Sequence, residues 1–251
     1  REKKSLVIDG QQRMLSIRFY LEGYFGEENP NGKRQVFRLT GLNPKSPYVG
    51  KRFEDLDDAS QRKLKMATLR VVNIQQLAPD NDSTSVYHIF ERLNTGGTPL
   101  RPQEIRNCVF YGPIVAILDK LNAMDAWRKI IGKKRLDKHE RDSEIILRVF
   151  AMVMDHASYE KPMKEFLNKR MKRSRFDKNG ELAAFAENFA HVVQQVDRLL
   201  PEKPFHIRDP LNLAALDSVM CVLIQNIKKI AENLAERYQN LKNDQQFKDS
   251  T

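Results

Sequence analysis

The chain has 251 residues, 41% hydrophobic and 30% charged, a balance that suits one or two folded domains and excludes an intrinsically disordered protein. No apolar run approaches the roughly 18 residues that a membrane span needs. The two cysteines, Cys108 and Cys221, lie far apart in apolar helical patterns, which excludes a disulfide framework and makes the cytoplasm the expected compartment. A net charge of +10 fits an anionic partner, nucleic acid or nucleotide, and equally a solvated basic surface.

In chain order, residues 4–9 (KSLVID) read as a short strand, stopped by Asp9-Gly10. Residues 14–25 set Leu15, Phe19 and Tyr20 on one helical face, widened by Ile17, Leu21 and Tyr24. Asn-Pro-Asn-Gly at 29–32 is turn chemistry. Residues 35–39 and 68–77 read as strands, separated by a loop at 44–50 and a short helix at 58–66. From Ser83 onward the pattern is helical: from Ser83 or Ser85 to about 94, from about 101, then 113–131, 141–159, 162–173, 181–200 and 211–243. The polar tail, 243–251, is expected to fray. The fold class predicted is α+β: a mixed part over 1–82 and a helical domain over 83–251.

Two constellations could carry chemistry. The first is strand, then Asp9-Gly10-Gln11-Gln12-Arg13, then helix. A strand-to-helix turn gathers free backbone N–H groups and the positive end of a helix dipole, so it can hold a phosphate. Gly10 permits close backbone approach, Gln11 and Gln12 supply amides, and Arg13 supplies a planar fork for bidentate contact. Asp9 could bind a metal ion or act as a base. An ordinary Asp-Gly turn before a polar helix start is the other reading. The second constellation is Phe90-Glu91-Arg92-Leu93-Asn94 followed by Thr95-Gly96-Gly97-Thr98. Phe90 and Asn94 share a helix face, and Asn before two glycines equally suits a helix C-terminus. The five histidines show no metal-ligand spacing.

The ordered pair DGQQR and FERLNTGGTPLRPQEIRN, with KPF and LNLAALDSVM at 203–205 and 211–220, resembles the GmrSD N-terminal nucleotidase family. The resemblance implies a small ParB/sulfiredoxin-like mixed sheet with helices, followed by a larger all-helical extension. It implies nucleoside triphosphate binding and hydrolysis with a divalent metal, expected to be Mg2+, in bacterial defence against foreign DNA. The alternative is a DNA-binding or sensor module of the same fold without turnover. Carried onto this chain, the resemblance makes Arg13 a phosphate ligand, Asp9 the metal or water partner and Gln12 a third catalytic group. Gly10, Gln11, Arg13, Phe90 and Asn94 become the nucleotide contacts. Met14-Leu15-Ser16 departs from the Leu-Thr-Thr that often follows the motif. The family's upstream QR-x-x-x-W type motif is missing, so an N-terminal segment is expected to complete the pocket. No HNH signature follows, so a nuclease is expected as a partner or fused domain. Residues 161–178 hold eight Lys or Arg, and Lys169, Arg170, Lys172 and Arg173 are the expected DNA contacts.

Overall fold

Helix α1 (Gln11–Glu22) lies between two glycines in the left-handed region, Gly10 at φ 88° and Gly23 at φ 84°. The computed structural model describes the chain outside residues 1–6, 8–9, 27–31, 74–83, 95–98, 178, 208–209, 231 and 251. It divides into two units, Arg1–Gln75 and Gln76–Thr251, each described by itself. The seam expected at 82–83 lies outside the described residues.

In the first unit, α1 starts three residues earlier than its apolar pattern, at Gln11, and stops at Gly23, whose N–H caps the carbonyls of Phe19 and Tyr20. The chain then forms strand β1 (Tyr24–Phe25), antiparallel to β2 (Gln35–Val36), with Tyr24 opposite Val36. The longer strand expected over 35–39 loses its ladder after Val36. Phe37 N–H instead donates to the Gly23 carbonyl at 2.9 Å, and Leu39 exchanges backbone bonds with Gly50 and Lys51. A 3-10 turn (Phe53–Asp55) and helix α2 (Asp58–Lys65) follow; Asp57 caps α2 by accepting the Ser60 N–H at 2.9 Å. Tyr20, Phe53 and Leu56 make a small core against Phe37 and Leu39. Tyr20 meets Phe37 and Phe53 edge-on at 5.5 and 5.9 Å.

The strand expected over 4–9 lies almost wholly outside the described residues. The one expected over 68–77 is corrected for its described part: residues 67–73 carry no regular structure, and Val72 is 85% exposed. A β-branched run makes a strand only when a neighbour accepts its ladder. The observed class is therefore α+β, mostly helical with one two-stranded antiparallel sheet. The larger mixed sheet is not found among the described residues.

The second unit is helical: α3 (Ser85–Leu93), α4 (Pro102–Val109), α5 (Pro113–Asn122), α6 (Asp125–Ile130), α7 (Arg141–Asp155), α8 (Met163–Arg173), α9 (Glu181–Leu199), α10 (Leu213–Gln225), α11 (Leu234–Asn243) and α12 (Gln245–Ser250). Helix α7 is central and packs against α10, α5 and α8. Ile145, Ile146, Leu147, Val149, Phe150 and Ala151 are its buried apolar residues, and Arg141, Glu144 and Arg148 recur at helical spacing on its less buried side. Helix α6 packs on α9 through Trp127, whose ring lies 5.2 Å from Phe189. Cys108 and Cys221 are free thiols, and burial pushes both toward the protonated form.

Two expected helices divide. The 113–131 segment breaks after Asn122, where Met124 is extended (ψ 128°). The 211–243 segment breaks at Asn226, whose side-chain amide donates to the Val222 carbonyl at 2.9 Å. After that break α11 returns so that Tyr238 Oη donates to the Pro204 carbonyl at 2.7 Å. The tail forms α12 beyond Asp244, which accepts the Phe247 N–H at 2.8 Å. Among the described residues no helix is long and apolar enough to cross a membrane.

Beneath the loop between α6 and α7 lies a buried charge pair. Arg128 Nη1 donates to Asp142 Oδ2 at 2.7 Å and to Asn122 Oδ1 at 2.8 Å. Its Nε donates to the Lys133 carbonyl at 2.8 Å, and its Nη2 to the Arg135 carbonyl. Asp142 has no solvent exposure and also accepts the Asp137 N–H at 2.9 Å. Removing one member leaves an uncompensated buried charge, so Arg128→Ala or Asp142→Ala is expected to lower stability by about 3–5 kcal/mol. Chemical denaturation measures this; a loss under about 1 kcal/mol would show that the pair does not anchor the loop.

In the first unit, Arg52 donates to Asp55 through Nε at 3.2 Å, Nη2 at 3.0 Å and the backbone N–H at 2.9 Å. The guanidinium hydrogen bond leads in lowering the Asp55 carboxyl from 3.8 to about 2. A lowered folded-state value means a contribution present above the unfolded value and lost as pH falls through about 2. Carboxyl NMR is expected to give Asp55 a midpoint near 2; an ordinary midpoint refutes the pairing.

Candidate functional site

The described part of the DGQQR turn is Gly10 to Arg13; Asp9 lies outside the described residues. Gly10 precedes α1 with φ 88° and ψ 6°, a conformation that disfavours any residue with a Cβ. Its carbonyl accepts the Met14 N–H at 2.9 Å, which closes the first turn. Gly10 itself has no side chain with which to cap α1, and the first turn of α1 holds no acidic residue. The first-turn N–H groups have no intrahelical acceptors, and the dipole adds positive potential there.

Arg13 folds back over this turn. A Cβ built on Gly10 would lie 3.4 Å from Arg13 Nη2 and 3.7 Å from Cζ. The guanidinium thus lies against the Gly10 backbone, beside the start of α1. Gln11, Gln12 and Arg13 are all exposed. Amides and a guanidinium suit phosphate oxygens, not a cation, and the one residue expected to bind Mg2+ is the undescribed Asp9. Among the described residues no group of three or more His, Cys, Asp or Glu could hold a metal ion.

Phe90 and Asn94 belong to the second unit, so the two motifs sit in units described separately. Phe90 is 3% exposed. Its ring packs in the core of the second unit. Asn94 ends α3, its N–H donating to the Phe90 carbonyl at 3.0 Å. This is the helix-terminating role that the residue type also fits; the glycines after it lie outside the described residues.

The basic stretch at 161–178 forms α8 and the turn after it, and much of its charge is neutralised locally. Lys164 Nζ lies 3.1 Å from Glu91. Arg170 is 5% exposed and binds Asp155 at 3.3 Å, Ser174 at 2.9 Å and Glu181. Its donors are engaged inside the second unit. Arg173 lies 3.9 Å from Asp155, Lys172 is half-buried, and Lys169 is exposed.

The sequence reading passed over Arg101, Lys133, Arg141 and Arg148, which line one cleft of the second unit. The available signal was the run KKRLDKHER at 133–141, five Lys or Arg in nine residues.

No curated protein and no solved structure matches this chain. A family model described as "GmrSD restriction endonuclease, N-terminal domain" matches residues 1–111. That span contains both motifs, DGQQR at 9–13 and Phe90 to Asn94, in the family's order. Over residues 1–111 the chain is therefore similar to the GmrSD restriction endonuclease N-terminal domain family.

Proposed function

We propose that the Gly10–Arg13 turn binds the phosphates of a nucleoside triphosphate and supports its hydrolysis, within a restriction-like defence protein of the cytoplasm. The observation that carries this reading is the Arg13 guanidinium lying against Gly10 at the start of α1, a left-handed turn without a Cβ. The family match supports it, since the family is named for a restriction endonuclease. Arg13 holds a phosphate oxygen pair, and the α1 amides hold a third oxygen. Gln12 orients the water that attacks the terminal phosphorus, Asp9 accepts its proton, and the bond to the bridging oxygen breaks to release nucleoside diphosphate and phosphate. Mg2+ would enter as the triphosphate's counter-ion. Cleavage of DNA falls to a nuclease domain fused to this one or bound to it.

Calorimetry with a nucleoside triphosphate tests the site. Arg13→Ala is expected to weaken binding by about 1.5–3 kcal/mol, roughly 10- to 100-fold, with stability changed by less than about 0.5 kcal/mol. Equal affinity of the two proteins rules the phosphate role out. Phosphate release by the same variants reads turnover: binding with no release in wild type would favour the sensor module over the hydrolase.

Gly10→Ala adds a methyl group to a left-handed residue, so its cost is backbone strain; the methyl would meet Arg13 at ordinary contact distance. It is expected to lower stability by about 1–2 kcal/mol and to weaken nucleotide binding together with Arg13→Ala. Full binding by Gly10→Ala would show that the turn's conformation plays no part in the site.

A further inference from the structure

The helical unit contains a cleft of about 420 Å³. Its lining comes largely from the first turns of three helices: Arg101 and Gln103 at the start of α4, Arg141 and Ile145 of α7, and Leu213 of α10. The charged residues on its wall are Arg101, Lys133, Arg141 and Arg148 against Glu144.

Local pairing removes some of these charges. Glu144 accepts from the buried Arg106 at 2.9 Å, Arg148 is held by Asp217 at 3.0 Å, and Lys133 lies 3.6 Å from Asp137. Arg101 and Arg141 are different. Both are exposed and neither side chain forms a salt bridge among the described residues, although Arg141 lies near enough to Asp137 to help lower its carboxyl and the Glu104 carboxylate accepts the Arg101 backbone N–H at 2.6 Å. Each also stands at a helix N-terminus, where the dipole disfavours a cation. Helix stability therefore does not account for them. Beside the cleft Lys134, Arg135 and Lys138 extend the positive surface outward, all exposed. The loop that carries them is fixed from below by Arg128, through the Lys133 carbonyl at 2.8 Å and the Arg135 carbonyl.

We propose that this cleft and its basic loop bind the phosphodiester backbone of DNA, with Arg101 and Arg141 each taking a phosphate. A single nucleotide would account for the cleft but not for the cations beyond its rim; a backbone carries phosphates at regular intervals and meets both. Arg suits the task because its planar fork pairs with two phosphate oxygens at once. The site is separate from the Gly10–Arg13 turn and does not depend on it.

Fluorescence anisotropy of the full chain with a labelled DNA duplex, over a series of salt concentrations, tests the proposal. Arg101→Gln/Arg141→Gln is expected to weaken binding at least about tenfold at low salt. The plot of log K against log salt should become shallower by about 2, since each neutralised phosphate contributes about 0.9. Arg101→Glu/Arg141→Glu should weaken it further, and its melting curve should match the wild type because Glu suits a helix N-terminus. Calorimetry with ATP completes the test. ATP affinity unchanged in the Gln pair, and DNA affinity unchanged in Arg13→Ala, would separate this site from the nucleotide turn. An unchanged salt slope in the Gln pair overturns the proposal. So does a slope altered only by Lys169→Glu/Lys172→Glu, which would put the DNA on α8. Loss of ATP binding with DNA binding intact overturns it too, and makes the cleft a mononucleotide site.

Discussion

An arginine removed from water costs several kcal/mol unless its N–H groups find acceptors. Arg128 finds four: Asp142, Asn122 and the carbonyls of Lys133 and Arg135. Two of these belong to the loop between α6 and α7, so one buried guanidinium fixes a segment that is itself exposed and strongly basic. Asp142 works from the other end, accepting Arg128 and the Asp137 N–H with the same oxygen. The pair thus converts a run of mutually repelling cations into a surface of defined shape. Left to itself, such a run would spread in solvent. A second buried guanidinium, Arg106, ties α4, α7 and α8 together through Gln103 at 2.8 Å, Glu144 at 2.9 Å and Asn168 at 2.8 Å. Both networks meet the first turn of α7, and the cleft opens there.

The first unit is built on a different principle. Its core is small, three buried side chains with two partly buried aromatic and aliphatic neighbours. Met14, Ile17 and Leu21 of α1 remain more than 40% exposed. Little apolar burial therefore holds α1, and its ends are fixed by backbone geometry: Gly10 before it and Gly23 after it, both left-handed. At the start of α1 that arrangement puts a backbone without a Cβ next to the Arg13 guanidinium.

Helices were legible in the sequence because their apolar residues recur at helical spacing and their ends carry turn chemistry. Helices α8 and α9 fall within a residue or so of the segments read from that pattern. The breaks at Asn122 and Asn226 were not legible, because each depends on a polar side chain finding a partner in the folded chain. Strands were the weakest reading. The segment 68–73 has the composition of a strand, and composition does not supply a ladder partner. Within the candidate site, the turn at Gly10 was legible as an Asp-Gly stop before a helix. The position of Arg13 over it was not, since that depends on a side-chain torsion. Phe90 lies at a buried position, and an aromatic at fixed spacing marks such a position as readily as a ligand contact.

The basic stretches make the same point about charge. By count alone 161–178 is the richer, with eight Lys or Arg against five in 133–141. The fold reverses that order. Asp155, Glu91 and Glu181 come from other helices and from distant sequence to neutralise Lys164 and Arg170, and Arg170 is drawn inside. Along 133–141 the acids turn inward or pair locally, Asp142 to Arg128 and Asp137 to Lys133, and the remaining cations face solvent. A sequence window sums charges that are neighbours along the chain, whereas a polyanion meets the charges left over after the fold has paired its own. The surplus that matters for recognition is therefore set by tertiary structure. In this protein it lies around the first turns of α4 and α7, away from the helix with the most lysines and arginines.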